Sequence, residues 1–518
     1  MPRSLRDALA EVVERVASDM NAQEVANTLN AYSKLGEAAA EMPRSLRGAL
    51  AEAAERVAPD MNAQGVANTL NAYPKLEAAA AVMPRSLRDV LAEAAQRVAP
   101  DMNAQHVGNT LNAYPKLQAA AAEMPRSLRC ALAEAAERVA PSMNAQNVAN
   151  TLNAYSKLEQ AAAEMPPSLR KALTEAAARM GPSMNAVESG MTRRASEALL
   201  GGGRSFIGIG SPTPRAPAPS GRAPGSARIS NKQLNSNISR AGGVEALLDV
   251  VDEHHKMFDF IHVATAVTRI AKLARQPRRS AGSNAVTRDV PLSSDERYVK
   301  LMGLVVKHLG TFTAREVANV FSGLATLQIE CGVTADAELL VQLAEAMERV
   351  APDMNAQEVA NTLNAYPKLK EAAAEMPRSL RCALAEAAER VSPDMTAQNV
   401  ANTLNTYSKL KVAAAEMPRS LQDALAEAAE RVAPSMNAQN VANTLNAYSK
   451  LEEAAAVMPR SLRCALAEAA ERVAPSMNAQ EVANTLNAYA KLELDETGLL
   501  LTSTRCPVET HLTATTSV

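Results

Sequence analysis

Apolar positions fall at helical spacing from the first residues onward. Leu5, Ala8, Leu9, Val12 and Val16 stand at i, i+3, i+4, i+7 and i+11. That spacing predicts one buried stripe of an amphipathic helix. Arg3, Arg6, Glu11, Glu14 and Arg15 cover its other side, and Pro2 suits its first turn. A second stripe follows in Val25, Ala26, Leu29, Tyr32 and Leu35. Asn21 is an N-cap for this second helix, and Glu24 three residues on completes a capping-box pair. Asn27, Asn30 and Lys34 lie on a neighbouring polar face.

Both stripes return. The stretch NAQEVANTLNAYSKL at Asn21 recurs at Asn62, Asn103, Asn144, Asn355, Asn437 and Asn478, with a variant at Thr396. The stretch MPRSLRDALAEVVERVA at Met1 recurs at Met42, Met83, Met124, Met165, Met376, Met417 and Met458. Within each run the starts are 41 residues apart. Two helices per fixed period predict an all-α solenoid, in which each unit buries its apolar stripes on its neighbours. Pro59, Pro100 and Pro141 end the first helix in later copies. Pro74, Pro115 and Pro367 follow the recurrent Tyr and predict that the second helix kinks or stops about one residue earlier.

The periodic pattern divides the chain into two arrays. Residues 1–188 hold four full repeats and a partial one. Residues 189–232 are rich in Gly, Ser, Pro and Arg, lack an apolar period, and predict a disordered linker. Residues 233–334 are diverged repeats: Val263, Val267, Ile270 and Leu273 take the places of Val25, Leu29, Tyr32 and Leu35, and Val317, Asn319, Phe321, Leu324 and Leu327 form a second such copy. The regular register resumes over 335–494, and residues 495–518 read as a loose tail. The polar linker leads us to expect two separate bodies.

Composition narrows the picture. The chain has no Trp, five Phe and nine Tyr, so its core is built from Ala, Leu, Val and Met, which suits close-packed helices. Net charge is −2, but residues 190–310 carry about +9, making the centre the basic part of the molecule. The five Cys form no CxxC pair; Cys130, Cys382 and Cys464 share one repeat position and read as small inert helix residues rather than a zinc or disulfide set. No apolar run reaches the ~18–20 residues of a membrane span. No nucleotide-binding Gly loop, HExxH or clustered Cys/His pair occurs, which predicts no enzymatic activity, no cofactor, no metal and no small-molecule substrate.

The stretches ANTLNAYSKL, HVATAVTRIAKL and FTAREVANVFSGLATL resemble the octotricopeptide repeat family and its FAST-kinase-like relatives, whose repeats carry a similar ANxLWALAKL helix. The likeness covers roughly four-fifths of the chain. It implies an α-solenoid that binds single-stranded organellar RNA and acts on transcript stability, processing or translation, in a mitochondrion or chloroplast. Two features depart from that pattern. The family's Trp falls at Asn30 and its equivalents, and no RAP-type nuclease-like module follows Leu494. Residues 191–200 (MTRRASEALL) resemble the start of a transit peptide, which raises the alternative of a shorter product beginning at Met191. The first residues make a poor transit peptide, so a cytoplasmic location is the other reading.

An RNA-reading repeat needs amides for base edges and cations for phosphates. The amide candidates are Asn27, Asn30, Asn68, Asn71, Asn109, Asn112, Asn150 and Asn153 in the first array. Asn361, Asn364, Asn402, Asn405, Asn443, Asn446, Asn484 and Asn487 are their counterparts in the second. The phosphate candidates are Lys34, Lys75, Lys116, Lys157, Lys368, Lys409, Lys450 and Lys491, with the central cluster Arg269, Lys272, Arg275, Arg278 and Arg279. One position varies between repeats (Glu24, Gly65, His106, Asn147, Glu358, Asn399, Asn440, Glu481) as a base-by-base code would, or as a solvated third helical residue would. The Asn27-type amides equally suit a ladder between adjacent units. His254 and His255 read as helix-surface residues. The competing function is a protein-binding scaffold of the HEAT or armadillo kind with no nucleic-acid role; in that reading the partner is a protein and the groove carries no positive stripe.

Overall fold

The computed structural model describes residues 1–35, 42–77, 83–117, 124–181, 184, 187–189, 191–192, 231–275, 292–369, 377–410, 415–451 and 458–496. The linker over 193–230, Arg278, Arg279 and the tail over 497–518 lie outside them. Among the described residues there is no strand, and the helices form an α-solenoid of two-helix repeats.

Each repeat is built alike. In the first repeat, helix Arg3–Val16 ends in a 3-10 turn, Ala17–Asp19, and helix Ala22–Tyr32 follows. Pro2 is the N-cap of the first helix rather than a residue of its first turn. Asn21 accepts hydrogen bonds from the backbone of Gln23 and Glu24, and Glu24 in turn accepts from the Asn21 N–H at 2.8 Å, closing the expected capping box. The 3-10 turn carries Pro59, Pro100 or Pro141 in later copies, where a missing N–H is tolerated. Second helices end before Pro115 and Pro367, at Ala113 and Ala365. At Pro74 the helix does not stop, since helix Ala63–Glu77 runs through it.

Chain contacts divide the molecule into two compact units, Met1–Pro212 with Ala467–Val518, and Thr213–Leu466. In the first unit, second helices stack in the order Ala479–Glu496, Ala22–Tyr32, Ala63–Glu77, Ala104–Ala113 and Ala145–Tyr155. Helices Arg3–Val16, Arg44–Val57, Arg85–Val98, Arg126–Val139 and Pro167–Met180 stack beside them. In the second unit, second helices run Asn231–Arg240, Phe260–Ala274, Ala314–Cys331, Ala356–Ala365, Ala397–Tyr407 and Ala438–Tyr448. The diverged copies therefore occupy second-helix places, with Val263, Val267, Ile270, Val317, Phe321, Leu324 and Leu327 buried as the alignment predicts. Helix Asn231–Arg240 is a further second helix that the sequence pattern did not single out.

Stacking on both sides widens the buried arc. In the first helix Leu5, Leu9, Ala10, Val12 and Val13 are buried, whereas Ala8 and Val16 are half-buried. In the second helix Thr28 and Ala31 join Val25, Ala26, Leu29, Tyr32 and Leu35 in the core. The small Ala26-type position is where adjacent second helices touch. Gly108 occupies it in the third repeat, and a Cβ there would meet Asn147 O and Thr151 Oγ1 at 3.7 Å. Ala and Thr at these two positions let neighbouring helices approach closely.

An arginine then locks each repeat to the one before it. Arg56 Nη2 donates to Met20 O at 2.7 Å and Ala17 O at 3.2 Å, capping the preceding 3-10 turn. Arg97, Arg138 and Arg179 do the same to the turns of their predecessors. So do Arg349, Arg390 and Arg431 in the second unit. A serine makes a second link, as Ser45 Oγ donates to Glu14 Oε2 at 3.0 Å and Ser86 Oγ to Glu55 Oε2 at 2.9 Å.

Candidate nucleic-acid interface

Burial on both flanks leaves the second helix one open side. Gln23, Asn27, Asn30 and Lys34 share it, at i, i+4, i+7 and i+11, within a wedge of about 60° at 100° per residue. Gln23 is exposed and the other three are half-buried. The same holds along both arrays: every Gln of this column is exposed, and Asn68, Asn71, Asn109, Asn112, Asn150 and Asn153 are half-buried. So are Asn361, Asn364, Asn402, Asn405, Asn443, Asn446, Asn484 and Asn487. Stacking the helices turns these single side chains into parallel rows.

The amides in these rows are uncommitted. No Asn27-type or Asn30-type side chain hydrogen-bonds to a protein group among the described residues. The ladder between adjacent units is therefore not formed, and each amide keeps its donors and acceptor for a ligand. The Gln column was missed in sequence reasoning, although its presence in all eight regular copies was the available signal.

Cations close each row. In the first unit Lys491, Lys34, Lys75, Lys116 and Lys157 occupy one register position on successively stacked repeats. Burial, then the neighbouring Lys491 and Lys75, hold the Lys34 ammonium below its ordinary value. Burial, then Lys75 and Lys157, do the same to Lys116. With the repeats stacked in this order, each of these two lysines has a like charge on either side, which makes the row a positive line. In the second unit burial, then Lys409 and Arg275, lower Lys368, and burial lowers Lys409. Lys450 is exposed at the same register position.

Other candidates have structural duties. At the variable position, Glu24, His106, Glu358, Asn399 and Glu481 reach back to the N-cap of their own helix. Glu358 and Glu481 accept from the N-cap N–H at 3.0 and 2.9 Å, as Glu24 does. Asn399 Oδ1 accepts from Thr396 N at 3.1 Å, and Asn103 N reaches His106 Nδ1 at 3.5 Å. Asn147 and Asn440 offer their backbone N–H to the capping Asn144 and Asn437.

Arg269 donates to Ala241 O at 2.8 Å and is half-buried, so it holds one diverged helix to the next. Lys272 is exposed, and Arg275 pairs with Glu330 at 3.5 Å. His254 is buried rather than on the surface, because its helix is covered by helix Glu296–His308; His255 is half-buried. Cys130 and Cys382 are exposed free thiols, whereas Cys464 departs from its repeat equivalents in being disulfide-bonded. No group of three or more His, Cys, Asp or Glu among the described residues is arranged to hold a metal. No described helix is long and apolar enough to cross a membrane.

Two family models match parts of the chain. Residues 4–194 match the model of a family described as RNA-editing substrate-binding complex 6 protein. Residues 338–363, 417–445 and 459–486 match a family described as a protein of unknown function (DUF1601). Comparison with curated proteins finds no match. A structure described as a homology model of the full-length AP-3 complex in an intermediate open conformation is similar over 95% of this chain and 90% of that one, at 12% identity and a TM-score of 0.25.

Proposed function

We propose that the chain binds single-stranded RNA along the Gln–Asn–Asn–Lys faces of its second helices, as part of organellar transcript processing. The observation that carries this reading is the lysine line on the stacked repeats of the first unit, flanked by two rows of amides with no hydrogen-bond partner among the described residues. Lysines so arranged repel one another until a polyanion lies along them, and amides beside them reach base edges. Single strands suit the site, because splayed bases present the edges that an amide pairs with. The family match over 4–194 supports the same class of partner. The near-identity of the repeats implies that each reads a similar base, so the preferred RNA is low in complexity.

The test is binding of fluorescein-labelled ribo-oligonucleotides, one homopolymer of each base, to the full chain over a range of salt. Saturable binding with one base preferred and a falling affinity at higher salt is the expected result. Binding to none of the four, by folded protein, sinks the proposal and leaves the protein-scaffold reading. For the cellular role, crosslinking followed by sequencing should recover organellar transcripts; recovery of cytoplasmic messages alone removes the organellar part.

A further inference from the structure

The first repeat does not stand at the edge of its stack. Arg15 Nη1 donates to Pro475 O at 2.8 Å and its Nη2 to Met477 O at 3.2 Å. Ser4 Oγ donates to Glu471 Oε2 at 2.8 Å. Consecutive repeats are linked in the same way: Arg56 and Ser45 hold the turn and the glutamate of the first repeat. Helix Ala479–Glu496 packs on helix Ala22–Tyr32 as that helix packs on Ala63–Glu77. The last repeat is thus seated as the predecessor of the first, although more than four hundred residues separate them in sequence.

This seating has a consequence for the face described above. Lys491 lies at the register position of Lys34, one repeat earlier in the stack. The charged line of the first array therefore extends onto the last repeat. Between Lys34 and Lys75 the line is held by consecutive chain; between Lys491 and Lys34 it is held by a non-consecutive joint that rests on packing, one arginine and one serine.

We propose that the docked last repeat is part of the polyanion site of the first array, so that RNA binding and closure of the Arg15–Pro475 joint reinforce one another. The inference rests on the RNA reading of this face. A ligand spanning Lys491 and Lys34 binds the closed joint better than the open one, and by linkage it must stabilise closure by the same factor. Opening the joint removes one phosphate contact and its share of the salt dependence.

The experiment compares the full-length wild type with three variants, using the fluorescein-labelled homo-oligonucleotide that binds best. S4A/R15A loosens the joint from the first-helix side and touches no residue of the Gln–Asn–Asn–Lys face. Lys491→Gln removes the charge and leaves the joint. Lys75→Gln reports on the face itself. Expected are a severalfold loss of affinity in all three and a fall of about 0.7 in the salt slope for each. Hydrogen exchange in residues 22–32 of the wild type should slow when RNA is added. If Lys75→Gln weakens binding while S4A/R15A and Lys491→Gln bind as wild type does, the joint plays no part and the inference is overturned with the RNA reading intact. If Lys75→Gln also binds as wild type does, the RNA reading falls and takes the inference with it.

Discussion

Gly323 lies against Val267: a Cβ on Gly323 would stand 2.9 Å from Val267 Cγ1 and 3.4 Å from Val267 O. Here the two diverged second helices meet, at a position where every regular repeat carries Ala or Thr. Gly323→Ala should push the helices apart and destabilise the second unit by about 1–3 kcal/mol, as overpacking does. Urea denaturation of the variant measures it; an unchanged midpoint would show that Val267 swings aside without cost.

Gly108 gives the opposite forecast. Its helix position has an ordinary backbone, and an added methyl would sit at ordinary contact distance, 3.7 Å from its neighbours. Ala26, Ala67 and Ala149 already fill the same place in sister repeats. Gly108→Ala should therefore stabilise the first unit by about 0.5–1 kcal/mol, the ordinary gain for Gly to Ala in a helix. A rise in the thermal midpoint is the expected reading.

The arginine clamp should show its worth on removal. Arg97 Nη2 donates to Met61 O at 2.7 Å and to Ala58 O at 3.4 Å, where the Met61 N–H also closes the 3-10 turn onto Ala58 O. Arg97→Ala should cost about 2 kcal/mol, in the range of hydrogen bonds from a charged donor. Because an array is coupled through its interfaces, the unfolding transition should also broaden. Equilibrium denaturation monitored by circular dichroism tests both; a full-width transition at the original midpoint would contradict the clamp.

The tyrosines make a pH-dependent prediction. The hydroxyls of Tyr32, Tyr114, Tyr155 and Tyr448 are buried without a hydrogen-bond partner. Burial alone raises all four, and pushes Tyr366 up to about 12. A phenol raised above its unfolded value keeps its proton longer in the fold, so stability holds below pH 10 and is lost as pH climbs from there through the folded value. Tyr155→Phe should be neutral or slightly stabilising near pH 7, since it removes an unpaired polar group, and should flatten the alkaline decline. Thermal melts at neutral pH and above pH 10 decide it.

The lysine line predicts opposed effects on folding and binding. Lys34 is depressed by burial and by Lys491 and Lys75, so the folded state disfavours its charge. Lys34→Gln should leave stability equal or raised while weakening RNA binding and lowering the salt slope by about 0.7. Asn30→Ala should instead change base preference and leave the slope alone. A slope that moves with the amide and not with the lysine would reverse these assignments.

Much of the fold was legible because each repeat solves the same local problem. The two stripes, the Asn21–Glu24 capping box and the turn prolines are set by residues a few positions apart, and period alone reveals them. His254 was misjudged because the covering helix is a tertiary neighbour. The Gln23, Asn27, Asn30 and Lys34 face could be assembled only after Thr28 and Ala31 were found buried, which follows from neighbours on both sides. The Arg15–Pro475 bond was not legible at all. Near-identical repeats carry near-identical faces, so sequence alone does not say which copy follows which in space.

The arginine clamp carries a final implication for how such a chain changes over generations. Its donor and its acceptors both lie in every regular repeat, so any copy fits before or after any other. A 41-residue duplication or deletion at matching positions leaves every joint satisfied and demands no compensating mutation. The number of repeats is then the trait most easily altered, and with it the length of strand the protein can span.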